Sequence, residues 1–319
     1  MDPSAVFYDT LSLMIQIALI GLIGFWGLYR GLIGETCLLT LSRLVMEVTF
    51  PCYIFIHITR NISIGNVMNL FWLPLACVLL LGGSYLIARL YLKIDKSIAE
   101  RGEFSLLVTF QNAVYIPLPL IATLFPESEQ NRIFLYLFVF NVPFTTLMFA
   151  VSPHVLRKDK GFSFSWRTLF SNPVIAVIVS LLVVGLGLHE YIPKPVASSM
   201  DMVGKITIPL VMIVIGGVIL LNYRSKKPAH PLTIAKISML KLLVIPFIVL
   251  GIIILFNIPK DFAVLFLLEA CVPSASTLPL IARKEEADYR LIGATIFWSY
   301  IFSIITIPMF VSLYFYIYR

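Results

Sequence analysis

The chain has 319 residues, 59% of them hydrophobic and only 13% charged, with a mean hydropathy of +0.95. A globular domain carries roughly a quarter of its residues as charges, so this apolar surplus exceeds what one aqueous core can hide and excludes an ordinary soluble enzyme. The formal charge of +7 reads as an excess of Lys and Arg in the cytoplasmic loops of an all-α polytopic membrane protein, not as a nucleic-acid surface.

Apolar stretches of about 20 residues, the length that crosses a bilayer, recur along the chain and predict ten transmembrane spans. The first, 11–28, follows Asp2 and Asp9 instead of a basic segment, so it reads as a retained helix and not a cleaved signal peptide. The second, 36–58, carries Arg43, Glu47 and Pro51 and ends near His57, a helix-end histidine; the third covers 68–92. The fourth, 104–124, contains Gln111-Asn112-Ala113-Val114-Tyr115-Ile116-Pro117-Leu118-Pro119, and the fifth covers 131–153. After the polar connection from Leu156 to Arg167 come the sixth span, 169–188, and the seventh, 198–221, which holds Asp201, Lys205 and Pro209. The eighth, 232–256, holds Lys236 and Lys241, both expected to snorkel to the interface. The ninth, 262–282, contains Glu269-Ala270-Cys271-Val272-Pro273-Ser274-Ala275-Ser276-Thr277-Leu278-Pro279, and the tenth covers 290–317. Cys37, Cys52, Cys77 and Cys271 lie inside apolar runs without paired spacing, which points to packing instead of disulfides or zinc.

Ten spans make the loops alternate between sides. Arg30, Lys93, Lys96, Arg101, Arg157, Lys158, Lys160, Arg167, Arg224, Lys226, Lys227, Arg283, Lys284 and Arg290 fall on one side, against Arg60, Arg132, Lys194, Lys260 and Arg319 on the other, fourteen to five. By the positive-inside rule both termini are then non-cytoplasmic.

The halves also repeat. Val48-Thr49-Phe50-Pro51 aligns with Ile206-Thr207-Ile208-Pro209, and Glu103-Phe104 with Asp261-Phe262, at an offset of 158; Pro119-Leu120-Ile121-Ala122 aligns with Pro279-Leu280-Ile281-Ala282 at 160. Five spans per half is an odd number, so the second copy enters the membrane from the opposite side, as in inverted-repeat transporters. The predicted organisation is a first repeat at 1–157, a cytoplasmic linker at 158–168 and a second, inverted repeat at 169–319.

Paired prolines in spans 4 and 9 remove backbone donors and clash with the preceding turn. Either alone could as readily be an ordinary kink as a break, but their recurrence at matched positions favours two broken helices. Unpaired backbone at bilayer depth is tolerated where it lines a cavity, and half-helix amino termini favour an anion there. Gln111 and Glu269 correspond at the same offset of 158, both ahead of the break. Glu269 is an ionisable group deep in the membrane, to be neutralised by a proton, a sodium ion or a basic side chain. Gln111 and Asn112 join it as candidates for ion coupling, while Asn112, Ser274, Ser276 and Thr277 offer groups that could orient a carboxylate or ligate sodium. Arg43 and Glu47 match Asp201 and Lys205 with charges reversed, each pair spaced i, i+4; structural or gating pairing is favoured for these four over substrate contact. No metalloprotease, hydrolase, P-loop or dinucleotide motif occurs. The chain is not expected to be an enzyme, and no cofactor is implied.

Taken in order, SRLVMEVTFPCYIF, FQNAVYIPLPL, FSNPVIA, DMVGKITIPLVMIVIGGVIL and PSASTLPLIA span essentially the whole chain and resemble the auxin efflux carrier family, the plant PIN-type carriers and their many bacterial relatives. The resemblance implies two inverted five-helix repeats with scaffold and transport helix sets, in which spans 4 and 9 are broken and cross at prolines around the substrate. It carries over Asn112, Pro117 and Pro273 most directly, with Tyr115, Ser274, Ser276 and Thr277 completing the expected substrate-binding set. The long cytoplasmic loop of plant members is absent, so a bacterial-type member is expected. Family substrates are small organic anions, auxin for plant members and dicarboxylates such as malonate for some bacterial ones. The expected function is a secondary-active or potential-driven efflux carrier of such anions, working by elevator-type or rocking alternating access in the cell membrane. A sodium-coupled symporter of bile-acid-carrier type is the alternative; a channel or receptor leaves the inverted repeat unexplained. Expected partners are the organic anion, the lipid bilayer, a proton or sodium ion and, as a candidate assembly, a second copy of the chain, but no nucleic acid.

Overall fold

The computed structural model describes residues 3–61, 70, 72–156, 171–223, 230–285, 287 and 290–318. The predicted linker 158–168 and the basic residues Arg157, Lys158, Lys160, Arg167, Arg224, Lys226, Lys227 and Arg319 lie outside the described residues. The described regular elements are helical: α1 (Pro3–Tyr29), α2 (Glu35–Leu44), α3 (Phe50–Asn61), α4 (Trp72–Ile94), α5 (Arg101–Thr109), α6 (Pro117–Leu124), α7 (Glu127–Leu156), α8 (Asn172–Gly185), α9 (Lys194–Lys205), α10 (Thr207–Tyr223), α11 (Pro231–Met239), α12 (Ile245–Leu255), α13 (Lys260–Cys271), α14 (Leu278–Lys284) and α15 (Arg290–Ile317), with a short 3₁₀ turn at Leu188–Tyr191.

Seven helical stretches among the described residues are long and apolar enough to cross a membrane, the second running from Glu35 to Arg60, the fifth from Lys194 to Leu221 and the sixth from Pro231 to Leu255. The helix α8 is apolar but shorter, at 14 residues. The first helix begins at Pro3, not at 11, and α9 begins at Lys194, not at 198.

Prolines shape these helices. α2 and α3 are joined by a π-helical turn, Val45–Thr49, and α11 and α12 by another, Leu240–Val244. In each, the residue just before a proline reaches back five positions, Phe50 N–H to the Val45 carbonyl and Ile245 N–H to the Leu240 carbonyl. Pro51 and Pro246 follow directly, and a proline ring displaces the carbonyl four residues back, which widens the turn. The Glu47 carbonyl, to which Pro51 can offer no N–H, accepts a 3.2 Å hydrogen bond from Asn172 Nδ2.

The helices pack in two groups. α1 lies along α10, and α3 packs on α8 and α9; separately, α4 packs on α5 and α7, and α13 on α12 and α15. The groups join where α15 meets α1 and α10 and where α3 meets α7. At this second junction Tyr53 of α3 packs edge-on against Phe134 of α7, centroids 5.6 Å apart, and His57 lies 4.9 Å from the same ring. Leu19, Leu22, Ile23 and Trp26 on α1 and Leu79, Leu86 and Leu90 on α4 face outward. Water would penalise such a surface, whereas lipid requires it.

Candidate transport site

The helix that starts with α5 stops at Thr109, and α6 begins at Pro117; likewise α13 stops at Cys271 and α14 begins at Leu278. Phe110 and Val272, the first residues past each stop, are extended. The two extended segments pair with each other in antiparallel fashion at Gln111 and Ser274. Asn112 N–H donates to the Pro273 carbonyl at 2.8 Å, and Ala275 N–H to the Phe110 carbonyl at 3.0 Å. Each unwound segment thus supplies the partners that the other lost, which is how irregular backbone can persist inside a helical protein.

Side chains finish the junction. Ser274 Oγ donates to the Leu107 carbonyl at 2.7 Å, and Asn141 Nδ2 of α7 to the Ala113 carbonyl at 2.9 Å. Asn112 Nδ2 donates to the Tyr300 hydroxyl, while Asn112 Oδ1 accepts from Tyr115 N–H at 3.0 Å. Gln111 Nε2 donates to Glu269 Oε2 at 3.2 Å, with both side chains fully buried.

Against this junction lies a cavity of about 590 Å³. One wall is Leu39, Ser42, Arg43, Met46 and Glu47, with Ser171, Asn172 and Pro173 at the start of α8; the facing wall is the Gln111–Tyr115 segment, Phe144, Thr145, Met148 and Phe149 of α7, and Ala275, Ser276, Thr277 and Leu280. The walls therefore come from the two different helix groups. Arg43 and Glu47 are its cationic and acidic members among the described residues.

Of the residues singled out in the sequence, Gln111, Asn112, Tyr115, Ser276, Thr277, Arg43 and Glu47 line this cavity. Ser274 and Pro273 sit in the junction behind it, Pro117 opens α6, and Glu269 is buried behind Gln111. Asp201 is drawn elsewhere: its carboxylate meets Arg60 at 3.1 Å and Lys205 at 3.0 Å. Arg43 and Glu47, by contrast, both contribute to the cavity wall, and no ion pair joins either to Asp201 or Lys205 among the described residues. Arg132 pairs with Asp261 at 2.6 Å, and Arg283 with Glu35, which ties α14 to α2.

The two lysines of the eighth predicted span behave differently. Lys236 reaches Asp95 at 2.5 Å near the end of α4. Lys241 does not snorkel: it is fully buried, in the π-helical turn Leu240–Val244, which packs on α13 and α15. Its Nζ has no hydrogen-bond partner, nor has Glu269 Oε1. The wall residues Ser42 and Met46 and the buried Tyr300 were not singled out from sequence; a lone hydroxyl or thioether in an apolar run carries no signal until its helix face is known.

A family model described as membrane transport protein matches residues 10–158 and 157–311. An uncharacterized transporter of Methanothermobacter thermautotrophicus is 26% identical over 311 residues, covering 95% of this chain and 98% of the relative. One from Methanocaldococcus jannaschii is 24% identical over 307 residues, covering 94% and 97%. The protein PIN-LIKES 2 of Arabidopsis thaliana is 27% identical over 127 residues, 38% of this chain and 28% of that protein.

Proposed function

Since the chain belongs to the membrane transport protein family, of the auxin efflux carrier type, we propose that it carries small organic anions across the cell membrane through the cavity beside the crossed segments. The observation that carries this reading is the cavity itself: about 590 Å³, walled mainly by apolar side chains, with the single cation Arg43 among its described lining residues. An apolar body with one carboxylate suits such a wall, because a guanidinium binds a carboxylate with paired, charge-assisted hydrogen bonds. Glu47 in the same wall disfavours a second negative charge, so monocarboxylates should be preferred over dicarboxylates. Asn112, Tyr115, Ser276 and Thr277 then orient the polar end.

The finer architecture belongs to the same reading. The seven long helices, the shorter apolar α8 and the interrupted helices α5–α6 and α13–α14 support a count of ten spans in two inverted repeats, 1–157 and 169–319, and the basic-residue asymmetry supports both termini outside the cytoplasm. Walls drawn from two helix groups support alternating access by displacement of one group against the other.

The test is uptake of labelled monocarboxylates and dicarboxylates by proteoliposomes that contain the purified chain. Saturable uptake of monocarboxylates is expected, weakened roughly tenfold to a hundredfold in affinity by Arg43→Gln and unaffected by Lys194→Gln, which lies outside the cavity. Absence of uptake for every anion, or wild-type affinity in the Arg43 variant, overturns the proposal.

A further inference from the structure

Three fully buried polar side chains lie on segments that meet behind the cavity wall: Gln111 in one unwound segment, Glu269 at the end of α13, and Lys241 in the π-helical turn that packs on α13. Gln111 Nε2 satisfies one carboxylate oxygen of Glu269 at 3.2 Å. The other oxygen has no hydrogen-bond partner, and neither has Lys241 Nζ. The helix α13, which carries Glu269, packs on the π-helical turn that carries Lys241. An isolated carboxylate or ammonium in so dry a setting is strongly unfavourable. Here one unmet anionic acceptor and one unmet cationic donor occupy the same neighbourhood, so each is the compensation available to the other.

We propose that Lys241 is the fixed counter-cation of Glu269, so that the carboxylate behind the crossing is neutralised from within the protein and takes up neither a sodium ion nor a proton as a coupled ion. The inference rests on the transport reading and completes it. The Glu269 charge is already balanced, the anion cavity faces Gln111 in place of a bare carboxylate, and transport follows the anion gradient and the membrane potential. Lys241 acts here as a positioning residue: it does not line the cavity, and its effect on the substrate runs through Glu269 and Gln111.

The experiment uses the full chain, first in detergent and then in proteoliposomes. Thermal melting is measured in sodium chloride and in choline chloride for wild type, Lys241→Gln, Glu269→Gln and the double variant. Wild type should melt at the same temperature in both salts. Each single variant should melt roughly 10 °C lower, because breaking a buried pair strands its other member, and the double variant should recover most of that loss. Sodium should raise the melting temperature of Lys241→Gln alone, where a carboxylate has been left without its cation. Should a single variant fail to fold, the double variant decides: it folds if the two charges serve one another and fails if each has a separate partner. Saturable stabilisation of wild type by sodium, or additive losses in the double variant, overturns the proposal. Uptake of labelled monocarboxylates separates this outcome from failure of the transport reading. Uptake that requires a sodium or proton gradient keeps the carrier and removes the fixed counter-cation, whereas a chain that moves no anion yet shows non-additive melting keeps the pair and removes the carrier.

Discussion

Asn112 serves both unwound segments at once: its backbone N–H closes on Pro273, its carboxamide oxygen accepts from Tyr115, and its amide nitrogen donates to Tyr300 on α15. No isostere keeps all three contacts, and loss of the side chain leaves buried groups unmet. Asn112→Ala and Tyr300→Phe should each lower stability, and a double-mutant cycle read by thermal melting should show a coupling of about 1 kcal/mol; fully additive effects would mean that the two side chains are independent. Asp95 offers a second test. The Lys236 ammonium first, and then Ser97, hold its carboxyl at about 2, below its ordinary value. A depressed carboxyl contributes stability that is complete above its unfolded value of about 4 and lost as pH falls towards the folded one. Asp95→Asn should therefore flatten the acid limb of the melting temperature between about pH 4 and pH 2, measured by light scattering of the detergent-solubilised protein; an unchanged acid limb would show that the contact with Lys236 adds nothing.

At the scale of elements, backbone proximity decides how α1 meets α10. A Cβ on Gly216 would run into the Gly21 carbonyl, and one on Gly24 into the Ile213 carbonyl, so these helices approach as closely as they do only because both positions lack side chains. Gly216→Val should force the pair apart, at about 1–3 kcal/mol or more, and should lower the yield of monodisperse protein on size-exclusion chromatography. Gly251→Ala on α12 is the contrasting case, since a Cβ there meets nothing within 4 Å. It should leave the profile unchanged and raise the melting temperature slightly, because alanine loses less backbone entropy in a helix. The π-helical turns belong to this scale as well. Each precedes a proline, and each turns a charged residue off the regular helical register: Glu47 in the cavity wall and Lys241 in the buried interior.

For the whole molecule, charge asymmetry and helix number make one linked prediction. Fourteen basic loop residues against five should orient an even number of spans with both ends outside the cytoplasm. A reporter active only in the cytoplasm, fused after Arg319, should stay silent, and one inserted at Lys96 should be active. The reverse pattern would overturn the orientation, and activity at both sites the even count.

Membrane character, the family and the two sites of helix interruption were legible from sequence alone. Mean hydropathy, proline spacing and motif order are local properties that no folding rearranges: a proline removes its donor wherever its helix lies. The pairing of charges was not legible, because the i, i+4 match of Arg43 and Glu47 with Asp201 and Lys205 says which residues share a face but not what that face meets. Tertiary packing set Asp201 against Arg60 and put Arg43 and Glu47 in the cavity wall. It also decided Lys241. A lysine in an apolar span can extend to the interface or turn inward with equal sequence grounds, and here the turn ahead of Pro246 and the helices packed on it leave the side chain fully buried.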